Sequence, residues 1–170
     1  MKILAIILIL ILTGCTNTIV PAVYTNVEEP SLPDDPEFVE LVQTLDTPYK
    51  ICLYLNNEFL YKGNTEFPNP YEFWLTKRGD CDDYSAFATL VANFHGYETY
   101  QIIMCSKESC HALAVYVVDG KLNYSNFGYY RNTQVTTFKE VVLDGGYRLK
   151  YDYFIVYNYE MEIVETGVLP

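Results

Sequence analysis

The spacing of apolar residues changes at Gly96, and this change constrains the fold more than any other feature of the chain. Upstream, apolar side chains recur every three or four residues, which predicts an amphipathic helix from Asp80 to His95. Its buried stripe consists of Ala86, Phe87, Leu90, Val91 and Phe94. From Tyr97 onward, apolar and polar residues alternate, which is typical of strands. Helices followed by an antiparallel sheet predict an α+β domain.

Two helices and a helical turn are predicted before residue 80. Acids and a proline at Asp34-Asp35-Pro36 favour the start of the first helix, because they suit the positive end of its dipole. The second helix follows Thr47-Pro48, and the turn runs from Tyr71 to Thr76. The apolar stripes of the two helices are Phe38, Val39, Leu41, Val42 and Leu45, and then Ile51, Tyr54, Leu55 and Phe59.

Six strands are predicted after Gly96, and the longest of them is expected between Arg148 and Tyr159. Their ranges are about 98–105, 110–118, 121–127, 133–138, 148–158 and 160–165. Seventeen tyrosines fit such a sheet, since a half-buried pleated surface suits aromatic rings.

The composition is that of one folded domain without a nucleic-acid partner. The chain has 170 residues, of which 50% are hydrophobic and 16% aromatic, and this excludes a disordered or low-complexity protein. The formal net charge is -11, from 22 acids against 11 bases. Because no basic stretch interrupts this acidity, a polyanion such as nucleic acid would be repelled.

The N-terminal residues have the character of an export signal. A basic start, Met1-Lys2, precedes an apolar run from Ile3 to Leu12, which is too short for a bilayer span of about 20 residues. The run ends in Leu12-Thr13-Gly14-Cys15, which resembles the bacterial lipobox. The resemblance implies cleavage before Cys15 and acylation of that cysteine with fatty acids such as palmitate.

This interpretation divides the chain into three parts. Residues 1–14 are the expected signal peptide, 15–36 a proline-containing tether, and 37–170 the folded domain. The lipid would anchor the protein to the cell membrane or the outer membrane, on the extracytoplasmic side. Disulfides can persist in that location.

The segment Arg78-Gly79-Asp80-Cys81-Asp82-Asp83-Tyr84-Ser85 resembles the nucleophile motif of transglutaminase-like cysteine enzymes, which share their core with papain-like proteases. That pattern continues with His-Ala at the start of a strand, here His111-Ala112, and with Asp or Asn on the next strand. The resemblance covers roughly residues 48–128. It implies a transglutaminase-like α+β fold with Cys81 as the nucleophile, His111 as the base and Asn126 as the third member.

Physical reasoning supports Cys81 and His111 independently. Cys81 is expected in the first turn of a helix, where unsatisfied N–H groups favour a thiolate, although Asp82 and Asp83 oppose this effect. His95, the other histidine, lies at the far end of the same helix, roughly 21 Å from Cys81. We therefore expect His111 to be the base and His95 to be a partner of the C-terminal helix dipole.

The third member follows from the register of a hairpin. Asp119-Gly120 predicts a two-residue turn, and in the resulting register Asn126 lies on the same side of the sheet as His111, within reach of a side-chain hydrogen bond. Asn123 faces Tyr116 on the opposite side and is expected to be structural. A turn longer by one residue would reverse these assignments. The family more often has Asp at this position, so Asn126 resembles the papain arrangement.

The expected chemistry is acyl transfer without a cofactor or metal. His111 takes the proton of Cys81, the thiolate attacks an amide or ester carbonyl, and water or an amine resolves the thioester. The N–H of Cys81 is the expected oxyanion donor, and the second donor stays open among Trp74, Asn57 and Gln101. A protein or peptide is the expected substrate. Hydrolysis and transamidation both stay open, because they share one acyl-enzyme.

Cys105 and Cys110 are predicted to form a disulfide. The four residues between them fit a hairpin loop, which would place them directly opposite at about 4.5–5.5 Å. The alternative is a metal site of these two cysteines with His111, to which Cys52 could add a fourth ligand, although the spacing matches no common zinc site. Cys52 is expected to be a buried small hydrophobic residue.

Three functions follow from these observations. The first is a lipoprotein with a transglutaminase-like cysteine peptidase or amide hydrolase domain. The second is the same fold as a non-catalytic binding module, but such members usually lack the Cys or the His, and both are present here. The third is a structural envelope lipoprotein that uses its tyrosine-rich sheet as an interaction surface.

Overall fold

The computed structural model describes residues 31–64, 68–146 and 151–169. The predicted signal peptide, the lipidation site at Cys15 and most of the tether lie outside these residues. The helices are α1 (Pro36–Thr44), α2 (Pro48–Glu58), α3 (Pro70–Thr76), α4 (Cys81–Phe94) and α5 (Phe138–Gly146). The strands are β1 (Leu60–Tyr61), β2 (Arg78–Gly79), β3 (Thr99–Cys105), β4 (Cys110–Val118), β5 (Lys121–Asn126), β6 (Tyr129–Arg131), β7 (Tyr153–Asn158) and β8 (Ile163–Val168).

The strands form one large sheet and one small one. Six strands make an antiparallel sheet in the order β6-β5-β4-β3-β7-β8, while β1 and β2 pair in parallel. Together with the five helices of the described residues, this sheet confirms the predicted α+β class.

The helices before residue 80 begin where the sequence predicts. The Asp35 side chain accepts two N–H groups of the first turn of α1, at 2.9 and 3.2 Å. The Thr47 hydroxyl accepts the N–H of Lys50 at 3.3 Å and caps α2. Such side-chain acceptors satisfy N–H groups that have no partner inside the helix. The predicted turn at 71–76 corresponds to α3.

Helix α4 lies at the centre of the domain and packs against β3 and β4. It lies within the predicted range, with Asp80 at its N-cap and His95 at its C-cap. Gly96 follows with a φ of 79°, a left-handed conformation that glycine adopts without strain, and this ends the helix. Phe87 and Val91 of the predicted stripe are completely buried.

Each face of the large sheet carries a hydrophobic core. Along β4, Ala114 and Tyr116 pack into a cluster with residues of α1 to α4, whereas Leu113 and Val115 pack into a second cluster with Val141 of α5. Alternate strand residues point to opposite faces, so helices α1 to α4 cover one face and α5 the other.

The prediction of a strand at 133–138 is wrong. After β5 the chain turns at Phe127-Gly128 and returns at once as β6, with Tyr129 opposite Asn126. Helix α5 then begins at Phe138. The β-branched run Val135-Thr136-Thr137 explains the error, because such residues favour strands when only local pattern is considered.

The start of α5 carries a signal that the strand prediction overlooked. The Thr137 hydroxyl accepts the N–H of Glu140 at 3.3 Å, and the Glu140 carboxylate accepts the N–H of Thr137 at 3.1 Å. This reciprocal pair is a capping box, which the spacing Thr-x-x-Glu indicates in the sequence.

The longest strand is also not the predicted one. Strand β4 has 9 residues, whereas β7 has 6 and begins only at Tyr153. Part of the predicted segment, at 148–150, lies outside the described residues. A turn at Tyr159-Glu160 ends β7, and β8 begins at Ile163, later than the predicted start at 160.

No helix within the described residues combines the length and the apolar character that a bilayer span requires.

Candidate active site

Hydrogen bonds fix the chain at the junction where α4 begins. Strands β1 and β2 pair immediately before the helix. The Asp83 carboxylate accepts the N–H of Asp80 at 3.0 Å and the side-chain amide of Asn64 at 2.7 Å. The Asp80 carboxylate in turn accepts the N–H of Asn64 at 3.1 Å. These bonds give Cys81, the first helical residue, a defined position.

Gly79 allows this junction to close. A Cβ atom at Gly79 would lie 2.3 Å from Oδ2 of Asp83, which is far inside van der Waals contact. Only glycine lets the backbone approach the Asp83 carboxylate so closely. The glycine of the sequence motif is therefore explained by packing at the helix start.

The Cys81 thiol is half-buried beside the start of β4. It takes a hydrogen bond from the backbone of Ala112, the residue that follows His111. Burial raises the pKa of Cys81, and the charges of Asp80 and Asp82 raise it further, while the bond from Ala112 lowers it. The sulfur therefore carries its proton at neutral pH, and a base is needed to generate the thiolate.

The His111 imidazole lies on β4 with its ring fixed by Asn126. Its Nε2–H donates to Oδ1 of Asn126 at 2.9 Å, and the ring of Phe127 lies 5.1 Å away, centroid to centroid. Since an amide oxygen only accepts hydrogen bonds, the proton is on Nε2, and Nδ1 has the lone pair of a base. Burial lowers the pKa of His111, although the bond to Asn126 raises it. The ring is therefore neutral at neutral pH.

The register that predicted this pair is confirmed. Val118 lies opposite Lys121, and the ladder continues in that register to Ala114 and Ser125. Asp119 and Gly120 at the turn have φ values of 52° and 71°, as a two-residue hairpin of this kind requires.

Asn123 has the structural role that the register predicted. It lies opposite Tyr116, on the other side of the sheet from Asn126. Its amide nitrogen donates to the Tyr130 hydroxyl at 2.9 Å, and its oxygen accepts the N–H of Thr133 at 2.8 Å. Both ends of this buried amide are thus engaged in holding β5, β6 and the following loop together.

The three residues considered as a second oxyanion donor have other positions or partners. The indole N–H of Trp74 donates to the Tyr54 hydroxyl at 3.1 Å, and the ring packs on the core between α1 and α4. The Gln101 amide oxygen accepts the hydroxyl of Ser85 at 3.0 Å. Asn57 is exposed near the end of α2.

The predicted disulfide between Cys105 and Cys110 is present. The two residues lie directly opposite each other on β3 and β4, with Cα atoms 4.1 Å apart. Bonded sulfurs cannot act as thiolate ligands, so the alternative metal site is wrong. Cys52 is buried, with its sulfur 4.0 Å from the Tyr116 hydroxyl, as expected of a core residue.

His95 is a partner of a helix end, but of a different helix from the one expected. Its Nε2–H donates to the backbone oxygen of Val42 at 2.8 Å. Val42 lies in the last turn of α1, where its oxygen also accepts the N–H of the C-cap residue Leu45 at 3.2 Å. His95 therefore links the end of α4 to the end of α1.

Two tyrosines that the sequence did not single out lie near Cys81. Burial raises the pKa of Tyr61 and that of Tyr151, the latter to about 12, and the charge of Cys81 raises both further. Tyr61 is exposed, and its ring meets the edge of Phe127 at 5.4 Å, whereas Tyr151 is buried. No local pattern distinguishes these two among the 17 tyrosines of the chain.

Three carboxylates crowd around the start of α4. Asp80, Asp82 and Asp83 each place an oxygen within 4.8 Å of the others. Burial raises the pKa of Asp82 to about 7, and a hydrogen bond with Asp80 and the charges of Asp80 and Asp83 contribute. Partial protonation of Asp82 at neutral pH reduces the negative charge beside Cys81. Oδ2 of Asp83 already accepts two N–H groups, so it is not an open ligand for a cation.

The thiol at the start of α4 bonds the backbone of Ala112, next to His111 on β4, and the His111 imidazole bonds the amide of Asn126 at the end of β5. No protein-family model matches the chain, and no curated protein matches it significantly. A function for this chain has to be argued from the geometry of Cys81, His111 and Asn126.

Proposed function

We propose that this chain is a lipid-anchored enzyme that transfers acyl groups through Cys81, with a transglutaminase-like domain acting as a cysteine peptidase or amide hydrolase. The observation that carries the proposal is the 2.9 Å hydrogen bond from His111 to Asn126. This bond leaves Nδ1 as the basic nitrogen of the His111 ring. His111 directly precedes Ala112, whose backbone bonds the Cys81 thiol. A neutral imidazole and a protonated thiol are the resting states of a base and a nucleophile that react by general-base activation.

Acylation begins with proton transfer. Nδ1 of His111 takes the proton from the Cys81 sulfur as the sulfur attacks the carbonyl carbon of the substrate. The tetrahedral intermediate collapses when the carbon–nitrogen bond breaks and the imidazolium gives its proton to the leaving amine. Nε2–H stays bonded to Asn126 throughout, which keeps the ring in the correct tautomer.

Deacylation uses the same groups in reverse. Neutral His111 takes a proton from water, or from an amine, as that molecule attacks the thioester. The carbon–sulfur bond breaks, and the Cys81 sulfur recovers its proton from the imidazolium. Water gives hydrolysis and an amine gives transamidation.

The oxyanion of both intermediates can be stabilised by the backbone N–H of Cys81. N–H groups in the first turn of a helix lack intrahelical partners and lie at the positive end of the dipole. Cys81 is the first residue of the 14-residue helix α4. A fixed backbone donor of this kind stabilises developing charge without reorganisation.

The order of elements supports a transglutaminase-like core. The nucleophile begins a helix that packs on an antiparallel sheet, and the base and its partner lie on the adjacent strands β4 and β5. The order along the chain is that of the family motif: Cys81 first, then His111, then Asn126.

The proposal includes export and a lipid anchor at Cys15. The disulfide between Cys105 and Cys110 supports an extracytoplasmic location, because such bonds persist in oxidising compartments. We expect mass spectrometry of the membrane-bound protein to find acyl chains on an N-terminal Cys15. A mature N-terminus upstream of Cys15, or an unmodified Cys15, would contradict the anchor.

Acetylation by p-nitrophenyl acetate tests the enzyme. This ester transfers its acetyl group to an activated thiol and releases p-nitrophenolate. We expect rapid acetylation of Cys81, located by peptide mass spectrometry, followed by slow turnover. His111→Ala should slow acetylation by roughly 10²-fold or more, because the general base is lost.

The matched control is His95→Gln, which removes the other histidine but retains a hydrogen-bond donor near Val42. It should acetylate at the rate of the unaltered chain. If His111→Ala acetylates as fast as His95→Gln, or if Cys81 is not the acetylated residue, the enzyme proposal fails and a non-catalytic binding module becomes the better description.

A further inference from the structure

The face of the large sheet that α4 covers continues onto β7 and β8, where its residues reach solvent. Helix α4 packs against β3 and β4, and the hydroxyl of Ser85 on α4 donates to the Gln101 side chain of β3 at 3.0 Å. Ile103 shares the face of Gln101, because alternate residues of a strand point to the same side. The register carries this face from Ile103 to Ile155 of β7 and on to Thr166 of β8.

Six apolar residues on this face form a patch that we call the apolar platform. Tyr153 is 42% exposed, Ile163 59% and Val168 79%. The other three are half-buried, and none of the six belongs to either hydrophobic core of the described residues. An exposed apolar patch of this kind marks a binding surface. The platform consists of Ile103, Tyr153, Ile155, Tyr157, Ile163 and Val168.

The platform begins beside the Cys81 thiol. The thiol takes a hydrogen bond from the backbone of Ala112, and Ala112 lies directly opposite Ile103. Neighbouring strands are about 4.8 Å apart, so Ile103 lies about 5 Å and Ile155 about 10 Å from Ala112 across the sheet. An extended peptide covers about 3.3–3.6 Å per residue, so Ile155 is within reach of the third residue from a carbonyl at Cys81.

The charges around the platform favour an apolar substrate. None of the six platform residues is charged. Glu165, the one charged residue of β8, lies opposite Val156 of the second core and therefore points to the other face. The charges of Asp80 and Asp82 beside Cys81 disfavour an acidic substrate, as does the formal net charge of -11.

We propose that the apolar platform binds the acyl portion of a peptide substrate and selects an apolar side chain at the third residue from the carbonyl that Cys81 attacks. This inference rests on the acyl transfer proposed for Cys81. The selected side chain would lie against Ile103 and Ile155, where contact with apolar surface removes it from water. The platform thus makes the substrate a peptide chosen by a residue away from the reacting bond.

A second copy of this chain is the competing occupant. Strand β8 is at the edge of the sheet, and an exposed edge can pair with the same strand of another copy. Such pairing extends the sheet sideways through backbone groups and leaves Ile103 and Ile155 uncovered. The position of these two residues beside the Cys81 thiol therefore favours the substrate.

Three p-nitrophenyl esters test the proposal on the full chain. They are the esters of acetyl-Leu-Gly-Gly, acetyl-Ala-Gly-Gly and acetyl-Glu-Gly-Gly, which differ only at the third residue from the reactive carbonyl. We expect the leucine ester to acylate Cys81 roughly tenfold faster than the alanine ester, because more apolar surface leaves water. The glutamate ester should be the slowest. Equal rates for leucine and alanine, or a preference for glutamate, would overturn the proposal.

Ile155→Ser should bring the ratio of the leucine rate to the alanine rate close to one. Both esters are measured on one sample, so a partly unfolded variant lowers both rates and leaves their ratio unchanged. The matched control is Leu143→Ser, which removes a 47% exposed leucine of α5 on the other face of the sheet. It should retain the ratio of the unaltered chain. A ratio that Ile155→Ser does not change would overturn the role of the platform.

Thr166→Lys tests for a gain of function. Thr166 is exposed at the end of the row that runs through Ile103 and Ile155. A lysine there should raise the rate of the glutamate ester several-fold relative to the alanine ester, because it supplies an opposite charge. Unfolding cannot produce such a gain. An unchanged ratio would contradict the path of the substrate across the sheet.

Failure of this inference can be distinguished from failure of the enzyme. If p-nitrophenyl acetate acetylates Cys81 while the three peptide esters react equally, the platform has no role and the enzyme proposal stands. If Cys81 is not acetylated at all, both proposals fail. Light scattering that finds a dimer of the unaltered chain and a monomer of Ile155→Ser would assign the platform to a second copy and overturn the inference.

Discussion

His111 owes its chemical state to burial and to one hydrogen bond. Burial lowers the pKa of His111 and raises that of Cys81, so the proton stays on sulfur and the ring stays neutral across the intervening pH range. The bond to Asn126 decides which ring nitrogen is basic. Cys81, the proposed nucleophile, would therefore be activated during attack and would not be stored as an ion pair.

The pH dependence of Cys81 acetylation follows from these two shifts. The rate should rise as His111 loses its proton at a pH below its usual value of 6.5, and should then stay level. A second rise should appear above about pH 9, where Cys81 ionises directly. Stopped-flow release of p-nitrophenolate measures the profile. A single inflection near about pH 4, as in a preformed thiolate–imidazolium pair, would contradict this state of the site.

Asn126 can be tested by two replacements. Asn126→Ala removes the partner of Nε2 and should lower the acetylation rate by roughly tenfold or more, because the ring loses its orientation. Asn126→Asp places a carboxylate beside the ring, which should raise the pKa of His111 and move the first inflection to higher pH.

Asn123→Ala is the control for both replacements. Asn123 bonds Tyr130 and Thr133, so its loss should lower the melting temperature without moving the inflection. An inflection that moves equally in Asn123→Ala and Asn126→Asp would show that Asn126 acts only through stability.

At the scale of elements, the start of α4 depends on the paired strands β1 and β2. These strands have only two residues each, yet they bring Gly79 against the carboxylate that binds the N–H of Asp80. The helix start is thus fixed from both sides, by the β1–β2 pair and by Asn64.

Gly79→Ala tests this junction. The new methyl group would meet Oδ2 of Asp83 at 2.3 Å and displace it from Asp80 and Asn64. We expect a loss of about 1–3 kcal/mol in the free energy of unfolding, measured by urea denaturation, together with slower acetylation of Cys81. Gly63→Ala is the matched control, since nothing lies within 4 Å of a Cβ there. Equal effects of the two substitutions would contradict the role of Gly79.

The sequence predicted the elements whose signals are local. Caps and apolar stripes located α1, α2 and α4, and the Asp119-Gly120 turn gave the register that pairs His111 with Asn126. Helix α5 was missed because β-branched residues precede it, and its formation depends on burying Val141 and Val142 against the sheet. Burial of that kind depends on distant strands and leaves no periodic mark in a short segment.

Some features of the candidate site were predictable from the sequence and others were not. The disulfide and the pairing of His111 with Asn126 followed from hairpin geometry, whereas the proposal of Cys81 as the nucleophile came from a resemblance to a family motif. The approach of Tyr61 and Tyr151 to Cys81 was not predictable, because both come from segments distant in sequence that meet only in the fold. The raised pKa of Asp82 was not predictable either, since it depends on burial among neighbouring acids.

For the whole molecule, buried titratable groups change the free energy of unfolding in opposite directions as the pH rises. A lowered pKa, as in His111, contributes stability above about pH 6.5 that is lost as the pH falls. A raised pKa contributes stability that is present at lower pH and lost as the pH rises. Burial raises the pKa of Cys52 from 9.0 to about 11, so its contribution disappears between those values.

Cys52→Ala tests this linkage. A shift of two units corresponds to about 3 kcal/mol, so the unfolding free energy of the unaltered chain should fall more steeply from pH 9 to about pH 11 than that of the variant. Urea denaturation at several pH values measures both slopes. Parallel slopes would contradict the burial of an ionisable thiol at this position.

Helix α4 also fixes the distance between its two ends. Cys81 begins it and Asn93 lies near its end, so about 18 Å of rigid backbone separates the proposed nucleophile from the far end of the helix. A linear peptide that reached both ends of α4 would need at least five or six extended residues, at about 3.3–3.6 Å each. Shorter molecules could reach only one end of the helix. A peptide that bound at both ends would therefore be selected by its length as well as by its side chains.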